Sequence, residues 1–464
     1  MKALLIAPPQ WAAYGMPRRP VYPPLGLLQI AASLEAEGHA VRFVDADAGG
    51  LSVHEVERVA LRWRPDLVGL TATTTAFPEA RRWAARIKAA ADAPVVVGGP
   101  HATALPREVL QTECFDAVFQ GEADRTVAET GPRLARREAG VTAPGLWRSA
   151  SQAPPVRPEP AVLDDLPLPS WHLVVHPTRY LPPDARALPV GTVMFSRGCP
   201  AGCRFCQSTR LFGARVRYLS PERAVEHAWH VHRTIGAREI HILDDCFTAD
   251  QTRAVTIMES LRNCGPSVHW AFGNGLRADM LQSDTLAAMR ALGVHSMGIG
   301  IETADDGVAA SAGKHRNLHQ AALVIDEAHR LGMTVWGFFM LGLPGETEAT
   351  MARTARLSRD LNLDVAKFEI FKPYPGTELY EELVGRNAIR STRWSDWGIH
   401  TPPVHATRGL TRGDIWRARR SAVMWFHLRP KVMIGTLAQR RTRVQVALNA
   451  RSGWFLLKTL AKLV

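Results

Sequence analysis

Two runs of alternating strand and helix patterns, parted by a proline-rich stretch at 131–190, limit what this chain can become more than any other feature. In the first run Lys2–Ala7, Ala40–Asp45, Leu67–Thr71, Pro94–Gly98 and Asp116–Gln120 read as strands. Helical patterns such as Gly26–Glu37 and Pro78–Ala91 fall between them. Alternation of this kind predicts an α/β fold, a doubly wound parallel sheet with helices on both faces. Such sheets bind ligands at the carboxyl ends of their strands. A second run begins at Gly191, with strands near 192–198, 239–244, 268–274, 294–301, 334–341 and 365–371. Helices at Pro221–Thr234 and Leu318–Leu331 intervene, and Asn317 and Gln320 suit the N-cap and third position of the latter. This spacing suits a full or partial β/α barrel of six units, whose site lies at the C-terminal ends of its strands. The chain therefore divides into a first domain at 1–130, a connector at 131–190, a barrel at 191–385 and a mostly helical region at 386–464.

A length of 464 residues is more than one core needs, and 46% apolar with 22% charged residues suits a soluble globular protein. The N-terminal apolar run, Ala3 to Ala7, is too short for a signal peptide, and no stretch is long enough for a spanning helix. Six cysteines, three of them crowded between 199 and 206, point to a reducing compartment and a metal site. The expected location is the cytoplasm. The net charge of +12 is concentrated: from Arg408 onward there are 13 Lys and Arg against one acid, Asp414. The first 407 residues are neutral overall, so no nucleic-acid partner is expected, whereas a basic tail can meet an anionic surface. At helical periodicity Arg451, Lys458 and Lys462 share one side of that tail, with Leu456, Leu457, Leu460, Leu463 and Val464 opposite and Phe455 out of pattern. Such a helix either packs on the barrel or touches lipid as a peripheral membrane contact.

The chemistry begins at MFSRGCPAGCRFC, where Cys199, Cys203 and Cys206 follow a strand in CxxxCxxC spacing. Three thiolates on one loop can hold three irons of a cubane, leaving the fourth iron open for a ligand that chelates through amine and carboxylate. A structural zinc site would need a fourth ligand close by, and the next cysteine is Cys246. Cys246 itself reads as a buried structural thiol in preference to a hydrogen donor at the barrel mouth.

This loop, with Phe205 before its last cysteine, resembles the signature of the radical S-adenosylmethionine (SAM) superfamily. The resemblance implies a [4Fe–4S] cluster on the three cysteines and places Phe205 near the SAM adenine. HILDDCF (His241–Phe247) resembles the end of the family's second strand, which makes Asp244 and Asp245 candidates for the methionyl amine. Paired acids there could equally cap a helix or bind water. NGLRAD resembles the third strand end, with Asn274 a candidate contact, and GIGIET the fourth, with Glu302 toward the SAM ribose or amine. GFFMLGLPGET resembles the fifth strand and its glycine turn, which includes Gly342, and PYPGTELY the close of the sixth unit.

The first domain resembles the cobalamin-binding domain that precedes such barrels in one large subfamily. YPPLGLL, VDADAGGLS, the threonine run, VVVGGPHAT and DAVFQGEAD carry the likeness. They supply the cobalamin candidates Pro24, Leu25, Gly26, Asp47, Thr71, Thr73, Thr74, Gly98, Gly99, Gly121 and Glu122. The related DxHxxG motif, whose histidine binds cobalt, is replaced here by Asp45-Ala46-Asp47-Ala48-Gly49. Cobalamin bound without a protein histidine on cobalt is therefore expected, with His101 of GGPH an ordinary loop residue.

The resemblance implies a small-molecule substrate, an external flavodoxin- or ferredoxin-like electron donor, and methylation of an unactivated carbon. In that scheme SAM yields a 5′-deoxyadenosyl radical, methylcobalamin delivers the methyl group, and a second SAM restores it. Some relatives cyclise or rearrange their substrate instead, as the anaerobic porphyrin ring cyclase does. Methylthiolation of transfer RNA fits poorly, since the first domain holds only Cys114. A cobalamin carrier or light sensor would have no use for the cysteine loop.

Overall fold

The computed structural model describes residues 1–10, 20–407, 409–430 and 432–434. The first sheet holds β1 (Lys2–Ala7), β2 (Ala40–Asp45), β3 (Leu67–Thr71), β4 (Val95–Gly98), β5 (Ala117–Phe119) and β6 (Leu146–Trp147), in the order β2-β1-β3-β4-β5-β6. The pairings among β1 to β5 are parallel, with Lys2 opposite Ala40 and Val68 opposite Val95. Successive side chains of β1 enter different cores, as a strand between two helical layers requires. Ala3, Leu5 and Ala7 pack toward α1 (Leu25–Ala36), while Leu4 and Ile6 pack toward α2 (Val53–Trp63) and α3 (Phe77–Ala90). Ser52 and Glu55 close a capping box at the start of α2.

Two elements that pack with the first sheet extend past residue 130. Helix α4 (Asp124–Ala135) continues past 130 with Pro132 inside it, and β6 adds antiparallel to β5 from within the stretch read as connector. A strand of two residues among prolines leaves no periodic signal to read. The rest of the connector is tied to both domains: Tyr180 donates to Asp45 Oδ2 at 2.8 Å and Arg179 to Ala48 O at 2.6 Å, while Asp164 accepts from Ser220 N at 2.9 Å and Glu239 from Arg186 N at 2.6 Å.

The second sheet runs β14-β13-β12-β11-β10-β7, all parallel, an open partial barrel. Its strands are β7 (Val190–Val193), β10 (Glu239–Ile242), β11 (His269–Leu276), β12 (Val294–Glu302), β13 (Thr334–Leu341) and β14 (Val365–Ile370). The expected first strand, 192–198, is broken: β7 ends at Val193, and β8 (Ser196–Arg197) turns away to pair antiparallel with β9 (Arg217–Tyr218). Helices α5 (Pro221–Ile235), α6 (Gln251–Cys264), α7 (Ser283–Leu292), α8 (Leu318–Arg330) and α9 (Glu348–Asp360) pack around the outside. Asn317 caps α8 as expected, accepting from Gln320 N at 3.0 Å. The free edge of β14 is covered by α10 (Arg412–His427). Arg419 reaches Phe368 O at 2.8 Å and His427 reaches Ala366 O at 3.1 Å, which satisfies edge carbonyls that would otherwise template another strand.

The two sheets are joined through charge and through one inserted ring. Arg197 of β8 meets Glu122 at 2.6 Å and Asp124 at 2.8 Å. Tyr22, just ahead of α1, places its hydroxyl 2.8 Å from His241 Nδ1, and His241 Nε2 lies 2.7 Å from Glu239 Oε1. A Cβ at Gly273 would stand 2.4 Å from that hydroxyl, so the ring's seat requires glycine there. Among the described residues no helix is long and apolar enough to cross a membrane.

Candidate functional site

The cysteine loop leaves β8 through Gly198, whose φ of 106° and 2.5 Å spacing between a built Cβ and Arg215 O exclude any other residue. The loop is then braced from behind. Arg204 N bonds Ala312 O at 3.0 Å, and its guanidinium holds Glu382 at 2.6 Å and Glu378 at 3.0 Å. Phe205 packs on the apolar group of Val308, Leu343 and Phe371. Cys199, Cys203 and Cys206 are free thiols, each half-buried. Burial pushes the thiols of Cys203 and Cys206 up, while a hydrogen bond from Cys246 pulls Cys199 down. Cys246 is buried as expected, with Met280 Sδ at 3.6 Å, but its contact with Cys199 also puts it beside the loop.

Among the described residues no three His, Cys, Asp or Glu side chains converge on a point suited to a single metal ion. A cubane makes a different demand, one thiolate per iron at separate corners, which a short loop of three free thiols meets. Arg277 and Lys314 add positive charge next to Cys203. The donor set fits a [4Fe–4S] cluster better than a structural ion.

The two acids after β10 separate by environment. Asp244 is buried, its oxygens taken by Phe195 N at 2.8 Å and by the Ser196 hydroxyl. Those bonds hold the turn that launches the cysteine loop, and burial raises its carboxyl to about 7. Asp245 accepts from the Ser208 hydroxyl at 2.7 Å through Oδ1, and its Oδ2 has no partner among the described residues. Asn274 donates to Leu243 O at 2.6 Å. Glu302, at the end of β12, has a φ of 68° and lies 3.3 Å from Lys314 Nζ. A residue other than glycine held in the left-handed region is uncommon and clusters at functional sites. Gly342 has its N–H on Glu346 Oε2 at 2.5 Å and its carbonyl 2.7 Å from His405 Nε2, so protein groups already occupy its backbone.

Sequence reasoning passed over Arg277 and Lys314. Arg277 bonds Asp279 at 2.6 Å and leaves its buried Nη1 without a partner among the described residues. The NGLRAD segment carried the signal for Arg277; nothing in the sequence near Lys314 marked it.

A cavity of about 380 Å³ opens between the first sheet, helices α1 and α4, and the barrel. Pro24, Leu25, Gly26, Thr71, Gly98, Gly99, Gly121 and Glu122 all line it, together with Gly69 of β3. From the barrel side Thr192, Met194, Arg197 and His227 complete it. Three candidates stand outside this lining. Asp47 accepts from the backbone of Gln10, which does line the cavity, at 2.8 Å. Thr73 lies 3.4 Å from Ala76 N, at the start of α3. Thr74 is buried at 3.4 Å from His101 Nδ1. His101 is fully buried between Phe77 and Trp394, does not line the cavity, and is lowered to about 3 by burial. Glu122, although in the lining, is also the carboxylate that joins Arg197 and Arg217. Glycines along a wall at the carboxyl ends of parallel strands give a flat, wide approach, which fits a corrin and its nucleotide tail.

Comparison with known proteins agrees with this geometry. The B12-binding-domain family matches residues 14–130 and the radical SAM superfamily residues 193–358. An uncharacterized methyltransferase of Pyrococcus horikoshii is 33% identical over 442 residues, covering 94% of each chain. The anaerobic magnesium-protoporphyrin IX monomethyl ester cyclase of Rubrivivax gelatinosus is 26% identical, over 78% of this chain and 66% of its own length. The structure of the radical SAM methyltransferase TsrM from Kitasatospora setae, with cobalamin and a [4Fe–4S] cluster bound, superposes with a TM-score of 0.72 at 16% identity, covering 92% of this chain and 89% of that one.

Proposed function

This chain belongs to the family of radical SAM enzymes that carry a B12-binding domain, and we propose that it methylates an unactivated carbon of a small molecule. A [4Fe–4S] cluster, SAM and cobalamin are the cofactors of that family. The observation that carries the reading is the shared wall between the two domains. The cavity lined by Gly98, Gly99 and Gly121 is completed by Thr192, Met194 and Arg197, which lead directly into the cysteine loop.

The cluster and SAM supply one-electron cleavage to a carbon radical, and cobalamin supplies the methyl group. The chain's own residues bind and orient. Cys199, Cys203 and Cys206 hold the cluster, and Phe205 sets the wall behind it. Asp245, bonded to Ser208 just past the last cysteine, receives the SAM amine, while Asp244 acts one step removed by fixing the loop. Arg277 and Lys314 take the SAM carboxylate, and Glu302, steered by Lys314, faces the ribose. Gly342 shapes the turn of the adenine wall, and Asn274 holds the end of β11 against β10. Pro24, Leu25, Gly26, Thr71, Gly98, Gly99, Gly121 and Glu122 form the cobalamin wall, which Asp47 supports through Gln10. Thr73 and Thr74 act behind it.

The substrate class is a natural product, a lipid or a tetrapyrrole-like molecule, and electrons come from a flavodoxin- or ferredoxin-like donor. The Pyrococcus horikoshii relative, matched over 94% of each chain and named an uncharacterized methyltransferase, supports methyl transfer over the cyclase's chemistry. The test is incubation of reconstituted enzyme with methyl-labelled SAM and cell extract. Methylation yields label in a new product with both S-adenosylhomocysteine and 5′-deoxyadenosine. Deoxyadenosine without any homocysteine derivative would replace methylation with cyclisation or rearrangement.

A further inference from the structure

The end of α10 combines two features that neither cofactor domain uses. Within ten residues, Trp425, Leu428, Met433 and Ile434 are 48%, 53%, 50% and 64% exposed. Exposed large hydrophobics elsewhere, such as Leu61, Leu323 and Val384, stand singly and need no explanation. The inner face of α10 is already committed: Ile415, Ala422 and Phe426 are buried, and Arg419 and His427 hold β14. The exposed group is therefore surplus to barrel packing. Arg359 lies 4.4 Å over the ring of exposed Trp425, and Arg429 lies 4.0 Å over the buried ring of Phe426 beside it, so guanidinium groups adjoin the apolar group.

The sequence that follows has the same character. Residues 435–464 contain six Arg and Lys and no acid, with Trp454, Phe455, Leu456, Leu457, Leu460, Leu463 and Val464 gathered at the end. Those residues, including the expected tail helix, lie outside the described ones. In the last described helix the only acid, Asp414, is spent on its cap and on Arg417.

We propose that this end of the molecule is a docking surface for anionic lipid, which holds the enzyme on a membrane without crossing it. An acidic protein would match the charge but leave Trp425, Leu428, Met433 and Ile434 without an apolar partner. A bilayer interface accepts both: phosphates take the Arg and Lys side chains, and the acyl boundary takes Trp and the aliphatics. The attraction is electrostatic in part, so it weakens with salt.

The experiment is co-sedimentation of the cofactor-loaded full chain with vesicles of phosphatidylcholine alone or mixed with phosphatidylglycerol, at low and high salt. Two variants are compared: one lacking 446–464, and one carrying Trp425→Glu and Leu428→Glu, both at exposed positions. Binding to mixed vesicles alone, reduced by salt and weakened in both variants, is the expected result. Removing Arg451, Lys458 and Lys462 with the tail costs about a hundredfold in affinity. No binding to mixed vesicles, equal binding to both kinds, or variants that bind as the full chain does would overturn the proposal. Capture of an acidic electron-transfer protein without vesicle binding would replace it with the protein partner. Cluster and cobalamin content, unchanged in both variants, separates lipid binding from the catalytic reading.

Discussion

Filling the cavity from Gly26 isolates cobalamin binding from everything else the chain does. Gly26 is the second residue of α1, lines the cavity, and would present a Cβ with nothing within 4 Å. Its φ is not in the left-handed region, so a larger residue fits the backbone without strain. Gly26→Leu should therefore leave the fold intact and, by helix propensity, gain up to about 1 kcal/mol. The new side chain projects into the cavity that a corrin and its tail must share. Forcing a methylene-rich group against a ligand costs about 1–3 kcal/mol, which is roughly fivefold to 150-fold in Kd. Anaerobic absorbance titration with hydroxocobalamin measures this, with thermal melting and iron content as controls. The expected outcome is weakened cobalamin binding at undiminished stability and full cluster content. Cobalamin binding at the affinity of the natural chain would refute the cavity as the corrin site. A drop in melting temperature with loss of cluster would refute the claim that Gly26 faces open space.

Asp244→Ala leaves Phe195 N and the Ser196 hydroxyl buried without an acceptor, at about 1–3 kcal/mol for each group. Iron content after reconstitution should fall while cobalamin binding persists; full iron content would show that Asp244 does not brace the cysteine loop. Glu346 is buried, and burial raises its carboxyl from 4.5 to about 7. A raised acid is neutral in the folded state between those values, so its contribution to stability is whole below about pH 4.5 and lost as pH rises through about 7. Glu346→Gln keeps an acceptor for Gly342 N and never ionises, so its stability relative to the natural chain should climb by about 2–3 kcal/mol from pH 5 to pH 8. Urea unfolding at several pH values checks this, and parallel curves would contradict it.

Most strands were legible because each is a short, mostly apolar run bounded by Gly, Pro or Asp. Lys2–Ala7, Ala40–Asp45 and Leu67–Thr71 were expected at the residues where they stand. The first barrel strand was not, because its break after Val193 depends on Asp244, a partner some fifty positions away in sequence and unreadable locally. Leu146–Trp147 escaped notice for a similar reason, since a two-residue strand has no period. In the site, chemistry carried by spacing was visible: three cysteines on one loop need no fold to be noticed. Which of two adjacent acids braces the turn before the cysteine loop was not visible, because Phe195 and Ser196, its partners, lie far off in sequence. Glu122 shows a further limit, as its motif suggested a ligand role while Arg197 and Arg217 give it a structural one as well.

The most direct measurement is anaerobic SAM cleavage by protein reconstituted with iron, sulfide and cobalamin, compared with a Cys203→Ala variant. With a strong reductant present, the natural chain should release 5′-deoxyadenosine and the variant none, although both bind cobalamin equally. Absence of deoxyadenosine from the natural chain, or its release by Cys203→Ala, would contradict the assignment of Cys199, Cys203 and Cys206 as the cluster that starts the reaction.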